Sequence, residues 1–171
     1  LRTGLCAGAD GVVVPKDRAA PATPAVARAS AGALEHVRLV RVTNLVRTIE
    51  AMKADGLWVA GLDADGKQDL FAADLSGPLA LVLGGEGSGL RRLVRQRCDF
   101  LVRIPQHGPV GSLNASAAGA VVLTCTTHLA TAHGKVFEEV PWVENHPVAA
   151  VSDLARRRGY QVFVREEPGR V

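Results

Sequence analysis

Aromatic side chains are scarce in this chain: four Phe, two Trp and one Tyr among 171 residues. A core built from it must rest on Val, Leu and Ala. A base-stacking sheet surface of the RRM kind, which needs several exposed rings, is not suggested. Cysteine is scarce too. Cys6, Cys98 and Cys125 are odd in number and show no Cys-x-x-Cys spacing. That argues against a disulfide framework and against a zinc site, so no metal is expected, and it fits reduced packing thiols in a cytoplasmic protein. No apolar run approaches the roughly 20 residues of a membrane span, so no membrane partner is expected. An excess of charge is also lacking, since 20 Lys and Arg against 17 Asp and Glu leave a net +3. The placement of charge matters more. Arg91, Arg92, Arg95, Arg97 and Arg103 crowd one region and Arg156 to Arg158 another. Each cluster reads either as a solvated face or as a phosphate-tracking patch.

What is present is a hydrophobic fraction of 47%, enough for one domain with a buried core. Short apolar runs at 12–14, 39–42, 57–62, 79–83 and 100–104 read as strands. Between them, Thr23-Pro24 opens a helix through about His36 by an N-cap followed by Pro at the first helical position. Thr43 or Asn44 caps a second helix to Asp55, which Gly56 ends. Further helices are expected over 88–97 and from Asn114 to about Leu129. Uninterrupted apolar strands alternating with helices predict an α/β fold, a mostly parallel sheet flanked by helices. Past about residue 135, a helix (Pro147 to Arg158) and a strand (Tyr160 to Val164) are expected. They read as an extension over the sheet or as the start of another unit. The expected division is therefore a domain over 1–135 and a C-terminal extension over 136–171.

Two stretches carry the chemistry. Leu79-Ala-Leu-Val-Leu-Gly-Gly-Glu-Gly-Ser-Gly-Leu90 is followed by Ile104-Pro-Gln-His-Gly-Pro-Val-Gly-Ser-Leu-Asn-Ala-Ser116. Each is an apolar strand, a glycine-rich turn and the start of a helix, a form that turns backbone N–H groups toward a ligand. The first lacks the Gly-Lys-Ser/Thr ending of a P-loop and is not a clean G-x-G-x-x-G. The second ends in Ser-x-Asn, which adds side-chain donors and acceptors.

The pair resembles the second and third motifs of the SpoU (TrmH-type) RNA 2′-O-ribose methyltransferases of the SPOUT superfamily. Within them it is most similar to the 23S rRNA (guanosine-2′-O-)-methyltransferase (RlmB) group. The family pattern reads roughly L-V-x-G-x-E-G-x-G-L and I-P-M-x-G-x-V-x-S-L-N-V-S; Gln106 stands here for the usual Met and Ala115 for the usual Val. Leu1-Arg2-Thr3-Gly4, with Gly8 to Pro15, is similar to the end of the first motif, Asn-x-Gly-x-x-x-Arg. Arg2 would be its arginine. Its asparagine, its glycine and the strand before them, and usually an N-terminal RNA-binding domain, would lie upstream of residue 1, leaving an open edge or a central gap in the sheet.

The resemblance implies an α/β domain with a C-terminal deep trefoil knot, S-adenosylmethionine as methyl donor, a homodimer whose paired subunits complete the site, and an RNA substrate, rRNA before tRNA. It places Leu62, Gly84, Ile104 and Leu113 at the cofactor and Arg2, Glu86, Ser112 and Asn114 in catalysis. The residue types suit those tasks. Glycine permits close backbone approach, and Leu and Ile offer apolar walls. A guanidinium is a poor base, so Arg2 suits binding the target phosphate and lowering the hydroxyl pKa. Glu86 reads as a base, as an orienting group for the loop, or as a carboxylate at a helix start. Ser112 and Asn114 read as orienting the ribose or holding the loop, Asn114 equally as a helix N-cap. The small-residue helix from Ala115 to Leu123 suits a dimer contact or ordinary core packing. A tRNA ribose 2′-O-methyltransferase and a non-catalytic RNA-binding homologue are the alternatives.

Overall fold

The computed structural model describes residues 1–16, 22–85, 87–109, 111, 113–132 and 161–165. Their order is α1 (Arg2–Cys6), β1 (Gly11–Pro15), α2 (Pro24–Ala29), α3 (Ala33–His36), β2 (Leu39–Val42), α4 (Leu45–Ala54), β3 (Trp58–Leu62), β4 (Gln68–Asp69), β5 (Leu79–Leu83), α5 (Arg92–Arg97), β6 (Phe100–Arg103), α6 (Ala115–Ala132) and β7 (Gln161–Arg165). The strands form one seven-stranded sheet in the order β2-β1-β7-β5-β3-β6-β4. Every pairing in it is parallel.

Side chains alternate across this sheet, and both faces are covered. On β5, Ala80 and Val82 pack with Ile49 and Met52 of α4 and Val94 of α5. Leu79 and Leu81 point the other way, into a cluster with Leu70, Leu75, Val122 and Leu123 of α6. All five residues of β5 are buried, the pattern of a strand in the middle of a two-sided parallel sheet. At Gly61 of β3 an added Cβ would lie 2.8 Å from Cys98 Sγ and from methyl carbons of Leu90 and Leu101, so glycine lets that layer close without displacing those side chains. Burial raises the Cys125 thiol above its usual range, as suits a thiol used for packing.

The strand at the C-terminal end is not a layer over the sheet. β7 lies between β1 and β5, with Val162 opposite both Gly11 and Ala80. The expected open edge or central gap is thus replaced by a continuous ladder, because β7 satisfies the facing N–H and C=O groups of β1 and β5. The helix expected over Pro147 to Arg158 lies outside the described residues.

Two helices differ from expectation. The one expected from Pro24 to His36 is broken after Ala29. The N-cap is as expected, with Val26 N–H donating to Thr23 Oγ1 at 3.3 Å. Ala31 (φ 52°) and Gly32 (φ 81°) are then left-handed. Their N–H groups donate back to Arg28 O and Ala27 O, a Schellman stop. The helix expected over 88–97 begins only at Arg92. Gly85 and Gly89 instead exchange backbone hydrogen bonds of 3.2 and 3.0 Å. Gly87 (φ 80°) and Gly89 (φ 62°) take a conformation closed to most L residues.

Candidate functional site

A cavity of about 860 Å³ opens at the C-terminal ends of β3, β5 and β6, where open parallel sheets bind ligands. Leu62 and Asp63 at the end of β3 form one side, Gly84 and the glycine loop after β5 the second, and Ile104 to His107 with Gly111, Leu113 and Asn114 the third. All four residues expected at a cofactor, Leu62, Gly84, Ile104 and Leu113, line it together.

The glycine loop is a closed hairpin. A Cβ on Gly84 would overlap the backbone of Gly89 and Leu90, so glycine here is required by the loop's own return before any ligand is considered. The Gly85–Gly89 exchange also spends two of the N–H groups that a glycine turn could have offered a ligand. The third wall is more open. Gln106, His107, Gly108 and Pro109 are exposed, as is Leu113 at 42%. Asn114 ends it as the cap of α6, its Oδ1 accepting the N–H of Ala117 at 3.0 Å. Its amide nitrogen is the group left to donate.

The catalytic candidates are not all gathered here. Asn114 lines the cavity. Arg2 is exposed on α1 and is not among the lining residues, although α1 packs on α6. Glu86 and Ser112 lie outside the described residues. The arginine cluster is largely engaged within the fold. Arg97 pairs with Glu50 at 2.8 Å and Arg103 donates to Gly66 O at 3.1 Å. Asp99 pairs with Lys53 at 2.7 Å and accepts the N–H of Val59. The sequence marks Arg95 only as part of that cluster, yet it reaches the cavity and pairs with Asp63 at 3.4 Å. Its signal was its distance from the glycine turn, about one helical turn into α5, but the expected helix start was misplaced.

A sequence-family model described as the SpoU rRNA Methylase family matches residues 1–124. The chain belongs to that family. The 23S rRNA (guanosine-2′-O-)-methyltransferase RlmB of Pseudomonas putida is 50% identical over 123 residues, which are 72% of this chain and 50% of that protein. YacO of Bacillus subtilis, named for the TrmH family of tRNA/rRNA methyltransferases, is also 50% identical over 123 residues, 72% of this chain and 49% of YacO. The chain thus spans about half the length of these relatives. Among solved structures, the SpoU methyltransferase AviRb of Streptomyces viridochromogenes, in complex with the cofactor AdoMet, superposes with a TM-score of 0.70 at 32% identity, covering 77% of this chain and 54% of that one. In this SpoU family member the matched residues include both motif loops and most of α6. No helix among the described residues is long and apolar enough to cross a membrane.

Proposed function

We propose that this chain carries the methyl-transfer site of an S-adenosylmethionine-dependent RNA methyltransferase acting on a ribose 2′-hydroxyl, with a guanosine of 23S rRNA as target. The carrying observation is the convergence of Leu62, Gly84, Ile104 and Leu113 on one cavity, in a chain 50% identical to an RlmB protein. The cavity fits the donor: about 860 Å³ lies within the range of small-ligand sites, with leucine and isoleucine walls suited to an adenine and polar groups at Asp63 and Arg95.

When bound, the donor supplies an activated sulfonium methyl, so the protein need provide neither nucleophile nor metal. Its residues must hold methyl and oxygen in line and manage the hydroxyl proton. In this reading Leu62, Ile104 and Leu113 clamp the adenine and exclude water, and the Asn114 amide orients the ribose. Arg2 binds the target phosphate and favours the alkoxide by its charge. Since Arg2 is not on its own chain's cavity wall, the reading includes a homodimer in which a second copy brings that arginine to the site. Glu86 and Ser112 complete the catalytic set by resemblance, and a C-terminal trefoil knot that holds the donor belongs to the same reading. A cytoplasmic location belongs to the same reading, as does a boundary near residue 135 between the catalytic part and a C-terminal part that returns β7 to its sheet. A tRNA substrate is the alternative, the Bacillus relative being named for tRNA and rRNA alike.

The test is methyl transfer from tritiated S-adenosylmethionine to rRNA and, separately, to tRNA, with mapping of alkali-resistant 2′-O-methyl positions. Label in a guanosine of 23S rRNA is expected. Label only in tRNA would move the substrate, and label on a base would overturn the ribose reading.

A further inference from the structure

Asp63 is the most deeply set carboxylate described on the cavity, its side chain only 10% exposed. Its neighbour on the wall, Asp65, is exposed. The loop that carries Asp63 is locked. Its N–H donates to Val102 O and its carbonyl accepts from Gly66 N, each at 3.0 Å. A Cβ on Gly66 would meet the Val102 and Arg103 backbone at 2.7 and 2.9 Å, so the turn lies flat against β6. The carboxylate is therefore positioned before any ligand arrives.

Its acceptor capacity is not exhausted. Oδ1 takes one bond, from Asp65 N–H at 2.9 Å. Oδ2 faces Arg95 Nε at 3.4 Å, well beyond the roughly 2.7–2.9 Å of a charge-assisted hydrogen bond. An ionised carboxyl accepts about four hydrogen bonds, and a carboxylate shielded from water gains from filling them. The place is apt as well. A carboxylate at the C-terminal end of a parallel strand, across from a glycine turn, is how dinucleotide-binding α/β folds hold ribose hydroxyls.

We propose that Asp63 reads the sugar of the ligand: its carboxylate accepts hydrogen bonds from the vicinal ribose hydroxyls of an adenosyl group, and Arg95 is a positioning residue that holds that carboxylate. This rests on the S-adenosylmethionine reading above. It makes the site selective for ribonucleosides over deoxynucleosides. A carboxylate serving only as a strut between the β3 loop and α5 would be blind to that difference.

The experiment titrates S-adenosylhomocysteine and its 2′-deoxy and 3′-deoxy forms calorimetrically into the 171-residue chain. The wild type should prefer the ribo form by about 10-fold or more. Asp63→Ala, which removes both acceptors, should lose more than that factor for the ribo form, lose less for each deoxy form and no longer prefer the ribo form, and its remaining sugar-blind binding shows that it is folded. Asp63→Asn should fall between. Arg95→Met should weaken ribo binding by less than Asp63→Ala and keep part of the preference. Deoxy forms binding the wild type within about twofold of the ribo form would overturn the role of Asp63 without needing any variant. So would an Asp63→Ala protein that keeps the full preference. Failure of the wild type to bind any S-adenosyl compound would overturn the cofactor reading itself, a result distinct from sugar-blind binding.

Discussion

The two motif loops share a grammar in sequence and differ in the structure. The loop after β5 is tied to itself through the Gly85–Gly89 exchange and the close return beneath Gly84, and Leu90 at its end is buried. The segment from Ile104 to Leu113 is exposed over Gln106 to Pro109, and its firm point is the Asn114 cap. One wall is held in shape by its own backbone, and the other is exposed over Gln106 to Pro109. Glycine accordingly serves two purposes in the two loops. At Gly84 it permits a backbone crossing, whereas at Gly108 nothing lies within 4 Å of an added Cβ.

The largest expected effect falls outside both walls. Arg2→Ala should reduce methyl transfer to rRNA by about 10²-fold or more while cofactor affinity stays within about twofold. A parallel loss of cofactor binding would move Arg2 into the walls and blur the contrast. Next comes one substitution made twice. Gly84→Ala should cost about 1–3 kcal/mol, because its Cβ forces the Gly89 backbone to shift. Gly108→Ala should change stability by no more than about 0.5 kcal/mol. Urea melts of the two variants give both numbers, and equal costs would remove the distinction.

Asn114→Ala should cost about 1 kcal/mol through the lost cap, and Asn114→Asp should restore most of it. If the amide also orients the ribose, the Asp variant melts normally yet methylates slowly. The smallest effect is expected at Leu113. Leu113→Ala should weaken S-adenosylhomocysteine by a few-fold, about the apolar area lost. Its melting temperature should hardly change, because the side chain is already 42% exposed.

Much of the site was legible because it is carried by short-range pattern. An apolar strand ending in glycine marks where β5 stops; of the four cavity positions, Leu62, Gly84 and Ile104 sit at or just after strand ends and Leu113 just before α6. The caps at Thr23 and Asn44 were equally local. What escaped was non-local or stereochemical. The strand at Gln161–Arg165 was visible as an apolar run, but its seat between β1 and β5 depends on pairing partners far away in sequence. The break at Ala31 depends on a left-handed alanine, which composition does not announce. The delayed start of α5 depends on two glycines pairing with each other when they could have opened a helix. The Asp63–Arg95 pair spans two elements and appears only once both are folded.

Hydrogen–deuterium exchange with and without saturating S-adenosylmethionine tests the central claim most directly, that the donor sits between a preformed wall and an open one. Amides from Gln106 to Leu113 should gain strong protection on binding. Gly85 and Gly89, already bonded, should change little, and residues 24–36 not at all. Saturable binding that leaves 106–113 unprotected, or protects a region away from the cavity, would contradict the account.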